Sequence, residues 1–207
     1  MGDDGGDRYG RAVAAIDAAN AADPNELVVG DVRGPKELVH ARMMTAWLDR
    51  LDPGADELRH LAARAHHLRR WTSPRSDYPE GRAGYLRWRT AARRRHAEEV
   101  GVLLAGEGYG PDEVERVRSI VRKEHLATDP AVQVHEDALC LVFLETQLAG
   151  VADQLGDDAA VDVLVKSIRK MGPAGRRAAG DLDLDPDAAS LLDRAMGIVD
   201  ADEAPTA

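Results

Sequence analysis

Apolar residues recur along this chain at helical spacing. From Pro35, the positions His40, Met44, Trp47, Leu48 and Leu51 fall on one side of a helix. From Arg82, the series Trp88–Ala92–His96–Val100–Leu104 advances four residues at a time. Val114, Val117 and Val121 lead to His125, and Val134, Asp137, Leu141, Leu144 and Leu148 make a further stripe. Prolines and acidic residues mark helix starts at Pro35-Lys36-Glu37, Pro111-Asp112-Glu113, Asp129-Pro130 and Asp185-Pro186. The pattern predicts an all-α fold of about eight helices over Arg8–Ala22, Pro35–Leu51, Ala55–Trp71, Arg82–Glu107, Pro111–Leu126, Pro130–Leu155, Asp158–Met171 and Pro186–Val199, with no convincing strand. A single domain over 8–199 is expected, with disordered tails at 1–7 and 200–207, where apolar periodicity is lacking.

One irregular stretch interrupts the helices, from Trp71 through Thr72-Ser73-Pro74-Arg75-Ser76-Asp77-Tyr78-Pro79-Glu80-Gly81 to Arg82. Two prolines and a glycine exclude helix there. Its arginine and aromatic side chains are of the kinds that recognise ligands, and such loops on rigid helices commonly build sites.

Composition narrows the classes. The formal net charge is −10, which excludes nucleic-acid binding by bulk electrostatics. The charge is uneven, however. Ten arginines lie between Arg64 and Arg95 against only Asp77 and Glu80, a local basic block able to hold a small anion or to serve as a solvated face. Cys140 is the sole cysteine and sits in an apolar run, so neither a disulfide framework nor a thiolate metal cluster is possible. With an acidic start and no apolar run read as a membrane span, a cytoplasmic protein without membrane contact is expected.

The unusual feature is the chemistry on the apolar stripes. His40 and His96 occupy core-facing positions, His125 ends another stripe, and Asp137 lies on the most apolar one. A buried carboxylate is costly unless paired. Taken singly, each has a plain explanation: a core histidine with one hydrogen bond, or an aspartate capping a helix or pairing with an arginine. Together they offer imidazole and carboxylate from several helices toward one interior, a donor set suited to a divalent transition metal, whether zinc, iron or manganese. His66 lies at the edge of the stripe Leu58–Leu61–Ala62–Ala65–Leu68, and His67 across the helix from it.

In order, His40, His66-His67, His96, His125 and Asp137 resemble the HD superfamily of metal-dependent phosphohydrolases, in which a histidine, a His-Asp doublet and a final aspartate ligate one or two metals inside a helical fold. Here His67 stands where the doublet aspartate belongs, so the group that bridges metals or positions water in that superfamily is missing. A second resemblance runs from Arg11 to about Leu192. The blocks Pro35-Lys36-Glu37-Leu38-Val39, Ala65-His66-His67-Leu68-Arg69-Arg70-Trp71, Pro74-Arg75-Ser76-Asp77-Tyr78-Pro79, Gly81-Arg82-Ala83-Gly84-Tyr85 and Glu136-Asp137-Ala138-Leu139-Cys140 are similar to the family known as domain of unknown function 4202. That family is sometimes labelled glutamyl-tRNA synthetase-like, a label that nothing here supports, since neither signature of a class I synthetase is present. Its pattern has glutamine at the place of His66 and often tyrosine at that of His40, and does not require His125. The resemblance therefore implies His67, His96 and Asp137 as ligands, with His40, His66 and His125 as additional candidates.

A metal held by such a set would keep positions for water and substrate. Glu136 or Asp77 could orient that water or take its proton. Arg70, Arg75, Arg82 and Lys123 could clamp an anion, with Trp71, Tyr78 and Tyr85 as a flat wall. The leading expectation is a metal-dependent hydrolase of a phosphorylated or nucleotide-like metabolite. A di-iron oxygenase of the HD type and a non-catalytic anion-binding protein are the alternatives.

Overall fold

The computed structural model describes the backbone of residues 4–204 and the side chains of residues 8–204. The fold is predominantly helical. In chain order come α1 (Asp4–Ala21), β1 (Glu26–Val29), β2 (Val32–Pro35), α2 (Lys36–Leu51), α3 (Glu57–Arg64), two short 3₁₀ turns (Arg70–Thr72 and Arg75–Asp77), α4 (Gly81–Gly106), α5 (Pro111–Arg122), α6 (Pro130–Leu155), α7 (Asp157–Ile168), α8 (Pro173–Gly180) and α9 (Pro186–Glu203). Two compact units divide the chain inside α6, the first ending at His135 and the second starting at Glu136.

The first unit packs α1, α2 and α3 against one another and α5 against both α3 and α4. Its core is aliphatic: Ile16 of α1, Leu61 and Leu68, Val100 and Leu104 of α4, Val117 and Ile120 of α5, and Val132 of α6 are buried together. Arg64 pins α3 to α1 through a bidentate pair with Asp17, both contacts at 2.6 Å, the geometry that makes Arg–carboxylate pairs strong. In the second unit α7 packs on α9, and Leu164, Ile168, Leu192, Ala195 and Val199 are buried. By length and composition alone, α6 is long and apolar enough to cross a membrane. Its buried Glu136 and Asp137 fit a core helix better than a lipid-facing one.

Several local expectations change. Asp4–Asp7 and Asp200–Glu203, expected to be disordered, are helical, while 1–3 and 205–207 lie outside the described residues. The strands form an antiparallel hairpin pairing Val29 with Val32. The β-branched Val28-Val29 and Val32 around Gly30-Asp31 are a two-residue hairpin signal that helical periodicity had hidden. Helix α3 ends at Arg64 rather than Trp71, and α5 at Arg122 rather than Leu126. A short helix not foreseen, α8, follows Gly172.

Candidate metal centre

The first turn of α2 is anchored from outside the helix. Asp23 accepts the Glu37 N–H at 3.0 Å through one carboxylate oxygen and the Asn25 N–H at 2.9 Å through the other, satisfying an N-terminal donor that the helix cannot. Glu37 is thereby fixed one turn before His40. The i, i+3 spacing puts both side chains on one face, and both are buried.

The chain after α3 supplies the other histidines. Tight turns replace helix over 65–69: His66 N–H reaches Ala63 O, Leu68 N–H reaches Ala65 O and Arg70 N–H reaches His67 O. Arg69 sits at φ 50°, in the left-handed region, and its N–H is taken by the Asn20 side chain at 3.0 Å. On a continuous helix, adjacent residues diverge by about 100°. Here the tight turn lets His66 and His67 face the same interior.

Five imidazoles cluster there. The His40 and His67 rings stack with centroids 4.2 Å apart, His66 and His67 lie at 4.6 Å, and His67 and His96 at 5.8 Å. His135 Nε2 and His66 Nδ1 share a hydrogen bond of 2.8 Å. One ligand atom each from Glu37, His40 and His67 lies within 4.8 Å of the others, a group able to hold a metal ion. The Glu37 Oε2 to His67 Nδ1 separation is 3.2 Å. Two ligands ~2.1 Å from one tetrahedral zinc stand about 3.4 Å apart, so the spacing suits an ion with little movement.

Unspent donors point the same way. Both ring nitrogens of His40 and Nε2 of His96 are buried without a hydrogen-bond partner. His96 Nε2, buried and unpartnered, is free to offer a lone pair to a metal. Leaving such a nitrogen unsatisfied costs about 1–3 kcal/mol. A plain core would place leucine there.

The electrostatics keep these rings neutral. Burial lowers His40, His96 and His135 to about 3, and positive neighbours add to it: Arg70 and Lys36 at His40, Arg70 and Arg95 at His96, Lys123 at His135. His66 and His67 are likewise pushed well down by burial, with His135 and His40 respectively as the next cause. The Glu37 carboxyl moves the opposite way, up to about 7, because burial outweighs the pull of Arg70 and Lys36. Neutral imidazole is the form that binds metal, and a buried carboxylate lacking a full counter-charge favours a cation beside it. Access is uneven: the His67 side chain keeps 14 % of its surface, against 4 % for Glu37.

Of the expected ligands, the structure thus brings together His40, His66, His67 and His96. His125 is not among them. It is exposed, at φ 60° beyond the end of α5, because Lys123, also left-handed at φ 60°, has already turned the chain out of the Val114–Val121 stripe. Asp137 belongs to the second unit. Its Oδ1 accepts the Gly172 N–H at 2.8 Å just before α8, and a Cβ on Gly175 would stand 2.6 Å from its Cγ. Glycine there lets α8 approach the carboxylate. Glu136 is buried beside it in sequence. Glu37 and His135 were the residues missed as ligands or neighbours. The Glu37-x-x-His40 spacing could have disclosed the first, and the stripe Val132–His135–Leu139–Val142 the second.

The residues expected to clamp an anion divide. Arg70 lies against the centre, its NH1 3.2 Å from His67 Nε2 and its guanidinium 4.6 Å above the Trp88 ring. Arg75 instead donates to the carbonyls of Tyr78 at 2.8 Å and Pro79 at 2.9 Å, holding its own loop together. Arg82, Tyr85 and Asp77 are exposed, and Trp71 and Tyr78 are half-buried. The Lys123 charge bears on His135, His66 and His40.

In comparison with known proteins, the family model described as Domain of unknown function (DUF4202) aligns with residues 10–192. No curated protein and no solved structure matches the chain.

Proposed function

The chain belongs to the domain of unknown function 4202 family, and because that description names no activity, we propose a function from the side chains themselves: a divalent-metal-dependent hydrolase acting on a small phosphorylated or nucleotide-like anion. The observation that carries this reading is the Glu37–His40–His67 group, Glu37 and His40 buried and His67 partly accessible, with its unsatisfied His40 nitrogens. One carboxylate and two imidazoles fit zinc, iron or manganese, and His96 Nε2 is the next available donor. A metal so bound supplies a water acidic enough to act as hydroxide near neutral pH. Glu37 and His40 hold it in place, with Asp23 fixing the turn that carries Glu37. His67 and Arg70 face the accessible side, and Arg70, Lys36 and Lys123 together put a positive field on the cluster at His40, which favours anions.

The test is a panel of phosphomonoesters, nucleotides and phosphodiesters assayed with tag-free protein loaded with zinc, manganese or ferrous iron. Turnover is expected for a phosphoester in at least one metal form, and its loss in His40→Leu. Metal-loaded protein that hydrolyses none of the panel, or His40→Leu with undiminished turnover, contradicts the reading.

A further inference from the structure

Building on that metal-centre reading, we propose that Arg70 is the anion-binding residue of the site and that metal loading is what releases it for the task. Donors and lone pairs around His67 decide the matter. A guanidinium has donors only, so at 3.2 Å from Arg70 NH1 the His67 Nε2 must be the acceptor. The ring's one proton is then on Nδ1, where it donates to Glu37 Oε2 at 3.2 Å. Both contacts agree on a single tautomer. A neutral imidazole has just one lone pair, and here Arg70 holds it.

Metal binding at His67 can proceed through either nitrogen, and both routes end the Arg70 contact. Coordination through Nε2 takes the lone pair that Arg70 uses. Coordination through Nδ1 moves the ring proton to Nε2, where it confronts an Arg70 N–H. No proton is gained or lost by the ring in either case. The freed guanidinium stays over Trp88, whose indole N–H is fixed to Ser73 O at 2.9 Å. Among the described residues no carboxylate lies within ion-pairing distance of Arg70. The acid whose field it feels most is Glu37, which the metal would engage. A half-buried arginine, unpaired beside a loaded metal, is a receptor for a compact dianion of the phosphate-monoester kind. Metal and anion therefore bind with positive coupling, each strengthening the other by the same factor.

The experiment uses zinc as metal and inorganic sulfate as the dianion probe, with calorimetric titration of full-length chain in chelator and after zinc loading, for wild type and Arg70→Met. Zinc is expected to raise sulfate affinity about tenfold or more in wild type, the scale of one charge-assisted hydrogen bond. In Arg70→Met the gain is expected to fall below about threefold. In parallel, ¹⁵N spectra of the histidines in wild type report whether His67 Nε2 stops accepting a hydrogen bond when zinc is added, a readout that survives even if Arg70→Met does not fold. Zinc binding with an undiminished gain in Arg70→Met, or with Nε2 still an acceptor, overturns this inference and leaves the metal centre standing. Failure of wild type to bind zinc overturns both.

Discussion

Glu37→Gln has two effects that run in opposite directions, which makes it an informative substitution at this centre. In metal-free protein, burial holds the Glu37 carboxyl at about 7 against an ordinary 4.5, with Arg70 and Lys36 offsetting part of the effect. Between those values the folded chain keeps a proton that the unfolded chain has released. Stability therefore falls as pH rises through that window, and the deficit persists above it. At ~1.4 kcal/mol per pH unit of window, the loss is about 3 kcal/mol. Glutamine has nearly the same shape, still accepts from His67 Nδ1 and has nothing to ionise. In chelator at pH 8.5, Glu37→Gln is thus expected to be more stable than wild type by about 2–3 kcal/mol, after allowing for a weaker bond to a neutral acceptor. Near pH 4.5 the two converge. Urea unfolding at pH 6, 7 and 8.5, above the acid limb, follows the narrowing of this gap as pH falls. Saturating zinc reverses the order: a metal bound only to the folded state stabilises wild type by mass action, and the variant gains little. A variant less stable than wild type at pH 8.5 in chelator, or a difference that ignores pH, would show that the carboxylate is not the costly buried charge inferred here.

Other expectations follow from the same geometry. His40→Leu replaces two unsatisfied nitrogens with apolar surface and is expected to raise metal-free stability by about 1–3 kcal/mol while removing metal uptake, as chemical unfolding and elemental analysis would record. Acid unfolding should begin below about pH 6. The lowered histidines His40, His66, His67, His96 and His135 are neutral when folded and protonate near 6.5 when unfolded, so stability drops as pH falls from that value toward about 3, measurable as urea midpoints against pH. Gly84→Ala places a Cβ 1.8 Å from the Pro79 carbonyl oxygen. The helix-propensity gain of about 1 kcal/mol is expected to be overridden, giving a net destabilisation of about 1–3 kcal/mol and a loop that limited proteolysis opens. Arg75→Ala, by removing the bonds to the Tyr78 and Pro79 carbonyls, is expected to open the same loop to protease with metal content intact.

What the amino-acid pattern disclosed, and what it concealed, has a physical logic. The long helices α4 and α6 are legible because a sustained four-residue apolar step has few other interpretations, and His40 and His96 were marked because a polar ring interrupts those stripes. Periodicity alone could not select His67, since it belongs to a turn: a helical wheel places it about 100° round from His66 and off the apolar stripe, whereas the 3₁₀-type bonds over 65–69 and the left-handed Arg69 turn both inward. His125 failed for the converse reason, lying beyond a left-handed Lys123 that no glycine or proline announces. Asp137 is too polar for its apolar stripe, and its partner, the Gly172 N–H, sits at the N-cap of a short helix that periodicity does not disclose. Glu37 escaped notice because an acidic residue in a first helical turn is ordinary. Only the fold shows that this one is buried against two histidines.

The most direct test of the metal centre is anomalous diffraction from crystals of tag-free protein grown with zinc. A peak bounded by Glu37, His40 and His67 is expected, with ligand distances of about 2.0–2.2 Å, as is its disappearance in His40→Leu crystals grown alike. A wild-type crystal without a peak there, or one whose zinc lies only at exposed side chains such as His125, would contradict it.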